Sequence, residues 1–199
     1  MNKFSRIPLL LLALWLGACT TPPRDIQHRY DFGPLPGAPA PAPALPPLTL
    51  APVSAPVGQE APLIRYRLAY SDANNQQPYA NSRWNAPPAD LFEQRIKARI
   101  GQAGSAVLAL SDGVRTLPVV KIEIDDFTHV FNSLEESAAH VAVRVSVIER
   151  NQLLAHQRFA RQQPAAGANA SAGAAALAAA SDAVIGDILQ WLAGLPIQR

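Results

Sequence analysis

Four valines set the clearest rhythm in the chain. Val141, Val143, Val145 and Val147 alternate with Ala142, Arg144 and Ser146. A period of two places one set on each side of a pleated strand, so the pattern predicts a strand with one apolar face. The run before it repeats the rhythm: within Leu117 to Phe127, Val120, Ile122 and Ile124 alternate with Lys121 and Glu123. Asn132 to Glu136 separates the two runs as a turn, and Arg150-Asn151-Gln152 turns into a third, Leu153 to Phe159. Three strands joined by such short loops predict an antiparallel meander, packed on one face and amphipathic on the other.

Upstream, Leu63 to Tyr70 alternates Ile64, Tyr66 and Leu68 against Arg65 and Arg67, which predicts another strand. Shorter strands are expected at His28 to Gly33, Leu48 to Val53 and Ala106 to Leu110, the last turned by Ser111-Asp112-Gly113. Ser71 to Pro78 reads as a polar turn, with Tyr79 to Trp84 leading toward a helix. That helix opens at Pro87 and Pro88, where no amide donor is needed. Phe92, Ile96 and Ile100 recur at i, i+4 and i+8, Glu93 and Lys97 form an i, i+4 pair, and Gly101 ends the helix. A second helix, from about Ala174 to Leu192, buries Leu177, Val184, Ile188 and Leu192, with Ser181 or Ala180 filling the gap. The sum is one α+β domain over residues 28–199: a mostly antiparallel sheet with two helices packed on one face. The bare face then needs cover from loops or a partner.

Ahead of this domain the pattern changes. Lys3 and Arg6 precede an apolar run from Ile7 to Leu16, broken only by Pro8, and Leu16-Gly17-Ala18-Cys19 follows. The run is shorter than the roughly 20 residues that span a bilayer. Charge, apolar run, small residues and cysteine, in that order, make a bacterial lipoprotein signal peptide. Residues 1–18 are expected to be removed, Cys19 to become the acylated N-terminus, and 19–27 to form a lipidated tether. Two or more acyl chains of the palmitate kind make a stable anchor where one is marginal. By resemblance to sorted lipoproteins, Thr20 in place of Asp after the cysteine points to the outer membrane, on its periplasmic face. Residues 34–47 hold seven prolines and read as an extended Pro/Ala-rich loop serving as a spacer.

Composition narrows the partners. The chain has 17 Lys and Arg against 15 Asp and Glu. Without Lys3 and Arg6 the two balance, so the mature net charge is zero and the pI near 8.9 misleads. The arginines are scattered, and no basic run speaks for nucleic acid or for electrostatic docking on a membrane. Cys19 is the only cysteine, so the folded domain can hold no disulfide and must be stabilised by an ordinary core.

No catalytic signature stands out: there is no G-x-S-x-G elbow, no H-E-x-x-H and no phosphate loop. The chain reads as no enzyme, with no cofactor beyond the covalent lipid on Cys19 and no metal. His129, His140 and His156 lie near successive strands without zinc-type spacing, and read as solvated or hydrogen-bonded. Asp125-Asp126 and Glu135-Glu136 are adjacent pairs; neighbours on a strand point to opposite faces, so neither pair makes an acid–base site. Tyr66, Tyr70, Tyr79 and Trp84 form an aromatic-rich stretch that serves either helix–sheet packing or a binding surface. Trp84, at the mouth of the first helix, with Tyr66 and Tyr79, are the candidate partner-binding residues.

Several stretches follow one another behind the lipoprotein signal: Tyr30-Asp31-Phe32-Gly33, Leu48 to Val53, Ile64 to Arg67, Ser82-Arg83-Trp84-Asn85-Ala86-Pro87-Pro88 and Asp125-Asp126-Phe127. An alanine-rich helix closing on Trp191-Leu192 completes the order. This order resembles the ABC-type transport auxiliary lipoprotein family, to which the lipoprotein of the paraquat-inducible system belongs. The resemblance covers essentially the whole mature chain, with the Pro/Ala tract and residues 71–78 as lengthened connections. It implies a non-catalytic auxiliary subunit of a lipid-transport system, whose partners are an MCE-domain protein and ABC transporter components. Energy would come from another subunit, and copies would assemble into a homo-oligomer. Two other readings remain open. One is a lipoprotein assisting assembly of an outer-membrane barrel or secretin. The other is a periplasmic lipid-binding module, which needs an apolar pocket between helix and sheet.

Overall fold

The computed structural model describes residues 27–37 and 45–197. The signal peptide, Cys19, nearly all of the tether and the middle of the Pro/Ala tract lie outside the described residues. In chain order the elements are β1 (His28–Tyr30), β2 (Leu48–Leu50), β3 (Leu63–Leu68), β4 (Gln76–Trp84), α1 (Pro88–Gln102), β5 (Val107–Ala109), β6 (Val119–Phe131), β7 (Ser137–Glu149), β8 (Gln152–Pro164) and α2 (Ala170–Ala193). The fold is α+β, as the patterning predicts.

The valine strand sits where its rhythm places it. Val143, Val145 and Val147 of β7 lie opposite Ile124, Ile122 and Val120 of β6, and all six are buried. β8 completes the antiparallel meander, with Phe159 opposite Val143. β6 and β8 both run further than the sequence suggests, to Phe131 and Pro164, because the long β7 between them offers pairing along its whole length.

The other edge of β6 departs from a pure meander. Two short strands lie parallel to it, end to end: β2 at its start, with Leu50 opposite Val120, and β3 at its end, with Tyr66 opposite His129. β5 extends the sheet from β2, while β4 and then β1 extend it from β3. The sheet is therefore mixed, with antiparallel long ladders and parallel short pairs at β1–β4, β2–β5, β2–β6 and β3–β6. Parallel neighbours need a long crossover, and α1 lies within those that join β2 to β5 and β6 and β3 to β6.

β4 corrects the expected polar turn and helix approach over residues 71–84. Gln76, Gln77 and Pro78 carry turn-like residues but pair with Arg67, Tyr66 and Arg65 of β3. Pairing with β3 there, and with β1 at Ser82 to Trp84, outweighs weak local propensity.

Both helices cover one face. α1 buries Leu91, Phe92, Ile96 and Ile100, and α2 buries Leu177, Ser181, Val184, Ile188 and Leu192. The Ser181 hydroxyl donates to the Leu177 carbonyl at 2.8 Å, which lets a polar residue occupy the stripe. α2 starts earlier than its alanine run suggests, because the Asn169 side chain caps it by accepting from the Ala172 amide at 3.0 Å. It is long and apolar enough to cross a membrane by length and composition, but its apolar stripe is packed on the sheet. On α1 the expected Glu93–Lys97 pair forms at 2.6 Å. Glu93 also accepts from the Val53 amide at 3.0 Å, tying the segment after β2 to the helix. Burial opposes the charge on Glu93, but these two contacts hold its carboxyl below the usual range.

Over β6–β8 the bare face needs no covering partner for burial. Asp125 binds Arg144 at 2.8 Å and Arg158 at 3.4 Å, and Glu123 binds Lys121 at 3.2 Å, so this part is a charge-matched surface, while Thr128, Val130 and Ala142 further along the same face are buried within the chain itself.

Candidate functional site

Trp84 ends β4 and is fully buried. Its ring meets Phe32 edge-on at 5.6 Å and Phe127 at 5.9 Å, and Phe32 stacks on Phe127 at 6.0 Å. The packing half of the expectation therefore describes Trp84. It joins the end of β4, the loop after β1 and the middle of β6, and presents no side-chain surface to a partner.

That loop is clamped by a buried cation. Arg95, 6 % exposed, donates from Nη2 to the carbonyls of Phe32 and Gly33, and its guanidinium lies 5.7 Å from the Phe32 ring centroid. Asp182 of α2 lies 3.6 Å from Arg95 and 3.4 Å from Arg99, so one carboxylate joins both helices. Neither Arg95 nor Asp182 belongs to a recognisable motif in the sequence. The available signals are a charge inside the Leu91–Phe92–Ile96 stripe and one of two acids in an otherwise uncharged helix. An open groove of about 510 Å³ lies between this loop and the alanines of α2, lined by Tyr30, Pro34, Pro36, Ala174 and Ala178 among others.

Tyr66 and Tyr79 behave differently from Trp84. Both are half-buried, and their rings pack at 4.7 Å. Tyr66 donates to Gln77 Oε1 at 3.0 Å and meets Phe131 edge-on at 6.0 Å. The Tyr79 hydroxyl lies 2.9 Å from Nδ1 of His129, which is fully buried on β6. Burial depresses the His129 imidazole to about 4, so the neutral ring accepts from the tyrosine at Nδ1 and its Nε2 proton lacks a partner. Burial, and then the neighbouring Tyr66, push the Tyr79 phenol well above its ordinary value. α2 closes over this pair at Gly173, where a Cβ would stand 2.2 Å from His129 Nδ1. Glycine is required there for close approach, a need hidden in an Ala/Gly/Ser run. Tyr70, the fourth aromatic of the stretch, is exposed.

The remaining candidates separate. His129 faces the helices, whereas His140 registers with Thr128 and Gln162, and His156 bonds to Ser146 at 3.0 Å. The three do not converge, and among the described residues no group of His, Cys, Asp and Glu forms a metal set. The carboxylate pair corrects a rule applied too simply. A bulge between Ile124 and Asp126 makes Asp125 an extra residue, so both carboxylates reach the bare face. They still form no acid–base pair: Asp125 binds Arg144 and Arg158, and Asp126 accepts from Thr128, which in turn accepts from Gln76. Glu135 and Glu136 lie exposed in the turn, their amides held by Ser133.

A family model described as ABC-type transport auxiliary lipoprotein component matches residues 30–189. Among solved structures, a protein from Xanthomonas campestris superposes with a TM-score of 0.68 at 22% sequence identity, over 76% of this chain and 87% of its own. A second, an uncharacterised protein, gives 0.63 at 10% identity, over 83% and 98%. Both share the fold. No curated protein matches the chain in sequence.

Proposed function

Because the chain belongs to the ABC-type transport auxiliary lipoprotein component family, we propose that it is the non-catalytic, outer-membrane-anchored subunit of an MCE-type lipid-transport system. In this reading the lipid on Cys19 fixes one end at the periplasmic face of the membrane. The domain grips an MCE-domain partner, and the energy comes from the ABC transporter's own subunits. The mechanism is positional, so what the chain must supply is a rigid grip.

The observation that carries the grip is the half-buried Tyr66–Tyr79 pair. Tyrosines held by neighbours and still open on one side lose little side-chain freedom on binding, and such residues are enriched at interface hot spots. His129, itself backed by Gly173, holds Tyr79 from behind. The periplasmic lipid-binding alternative is less well supported. The space between helices and sheet is filled by Val141, Val143, Leu177 and Ile188, and the open groove lies outside it.

The test is capture of the full-length lipoprotein from gently solubilised membranes, with its companions identified by mass spectrometry. An MCE-domain protein is expected with the natural chain, and its loss with Tyr66→Ala at unchanged unfolding midpoint. Recovery of a barrel or secretin instead overturns the reading in favour of envelope assembly.

A further inference from the structure

The arginines are scattered in the sequence, but the sheet collects four of them. Register places Arg29 of β1 beside Arg83 of β4, and Arg83 beside Leu63 of β3. The next residue of each outer strand, Tyr30 and Trp84, packs on the core, so Arg29 and Arg83 turn to the face without helices. On β3 the buried Ile64 turns Arg65 and Arg67 the same way.

These four differ from five other arginines of the fold. Arg144 and Arg158 share Asp125, Arg161 holds Asp187, and Arg95 and Arg99 share Asp182. Among the described residues none of Arg29, Arg65, Arg67 and Arg83 has a carboxylate partner. Arg65 reaches only the Gly58 carbonyl, and Nε of both Arg67 and Arg83 is buried without any partner. Asp126, which with Arg67 acts on His140, accepts from Thr128 and pairs with none of the four. Cations gathered without an ion pair repel one another, and an external anion would relieve that repulsion.

We propose that this arginine face docks on the anionic phospholipid headgroups of the membrane that holds the lipid anchor. Chain length favours that occupant. Arg29 is ten residues on from Cys19, so β1 cannot stand more than about 35 Å from the acylated end. Shape favours it too: the patch spreads over three adjacent strands, a span of about 10 Å, as a sheet face opposing a planar surface. Each cation near an anionic bilayer strengthens binding about fivefold, so the patch orients an anchored domain rather than replacing its anchor. The proposal rests on the lipidated reading above only for which membrane lies within reach.

The test uses the mature chain carrying Cys19→Ser, so that no acyl chain contributes. It is sedimented with vesicles of phosphatidylcholine alone, and with vesicles containing about one third phosphatidylglycerol. Binding to the anionic vesicles is expected to be at least about tenfold tighter and to weaken as salt rises. Arg29→Gln with Arg83→Gln should cost about 25-fold, while Arg158→Gln, whose partner is Asp125, stays within about twofold. If the double variant fails to fold, the exposed Arg29→Gln alone carries the test at about fivefold. Equal binding to both vesicles, no binding, or a patch variant that binds like the natural chain overturns the proposal and leaves the face to an acidic protein partner. Failure to capture an MCE-domain protein would not touch this result, because no transporter partner is present.

Discussion

The two halves of the sheet are built on different terms. Over β6–β8 the strands are long, the apolar residues alternate cleanly, and the outward arginines are matched by carboxylates of the same face. Over β1, β4 and β3 the strands are shorter, one inner face ends in a half-buried tyrosine pair, and the arginines lack carboxylates. The first half matches its outward charges within itself, as a scaffold would. The second leaves its outward cations unmatched, and both proposed contacts lie there.

Within the second half, Trp84 and Tyr66 occupy opposite situations. Trp84→Ala removes a fully buried ring and is expected to cost about 3–5 kcal/mol in denaturant unfolding. Loss of less than about 1 kcal/mol would mean that the ring is not the keystone between Phe32 and Phe127.

Acid should act next most strongly, through His129. Its imidazole is depressed to about 4, against about 6.5 in the unfolded chain. Above pH 6.5 both states are neutral and the fold keeps its full stability. As pH falls from 6.5 to 4 the unfolded chain takes up a proton that the folded one refuses, so up to about 3 kcal/mol is lost, flattening below 4. Carboxylates titrate in the same range, so the measurement is the difference between the natural chain and His129→Asn in urea unfolding at pH 7, 5 and 4. Parallel pH slopes would remove the histidine from the account.

Gly173→Ala follows, with an opposite sign to the usual rule. In a helix interior alanine is favoured over glycine by about 1 kcal/mol. Here the added methyl meets His129, and a net loss of about 1–3 kcal/mol is expected. The same substitution made together with His129→Ala should turn stabilising; if it does not, the close approach is not the cause.

The contrast between the halves also explains what the sequence could reveal. The valine strand, the Phe92–Ile96–Ile100 stripe and the Leu177–Leu192 stripe are periodic, and each formed where its period placed it. β4 was hidden because Gln76-Gln77-Pro78 owes its strand state to pairing with β3, not to local preference. The parallel placing of β2 and β3 on one edge of β6 is a non-local fact with no local signal. At the candidate site, Tyr66 and Tyr79 were legible as aromatics, but only packing separates them from Trp84. A one-residue bulge reversed the facing of Asp126, and such an insertion leaves no mark in an alternation count. The arginine face was least legible, since positions 29, 65, 67 and 83 come onto one face only through strand pairing.

The smallest effect tests the scaffold half. Arg158 is 60% exposed and lies 3.4 Å from Asp125. An exposed ion pair loses in side-chain freedom and solvent screening most of what it gains by attraction, so Arg158→Ala should change stability by less than about 0.5 kcal/mol. Its value is as a reference for Arg83→Ala. Removing a cation from a matched face leaves Asp125 still held by Arg144, whereas removing one from the unmatched face relieves repulsion. Raised salt screens that repulsion, so adding salt should stabilise the natural chain relative to Arg83→Ala and leave the gap to Arg158→Ala nearly constant. If both gaps respond to salt alike, the four arginines do not sense one another and the division of the sheet into satisfied and unsatisfied halves fails.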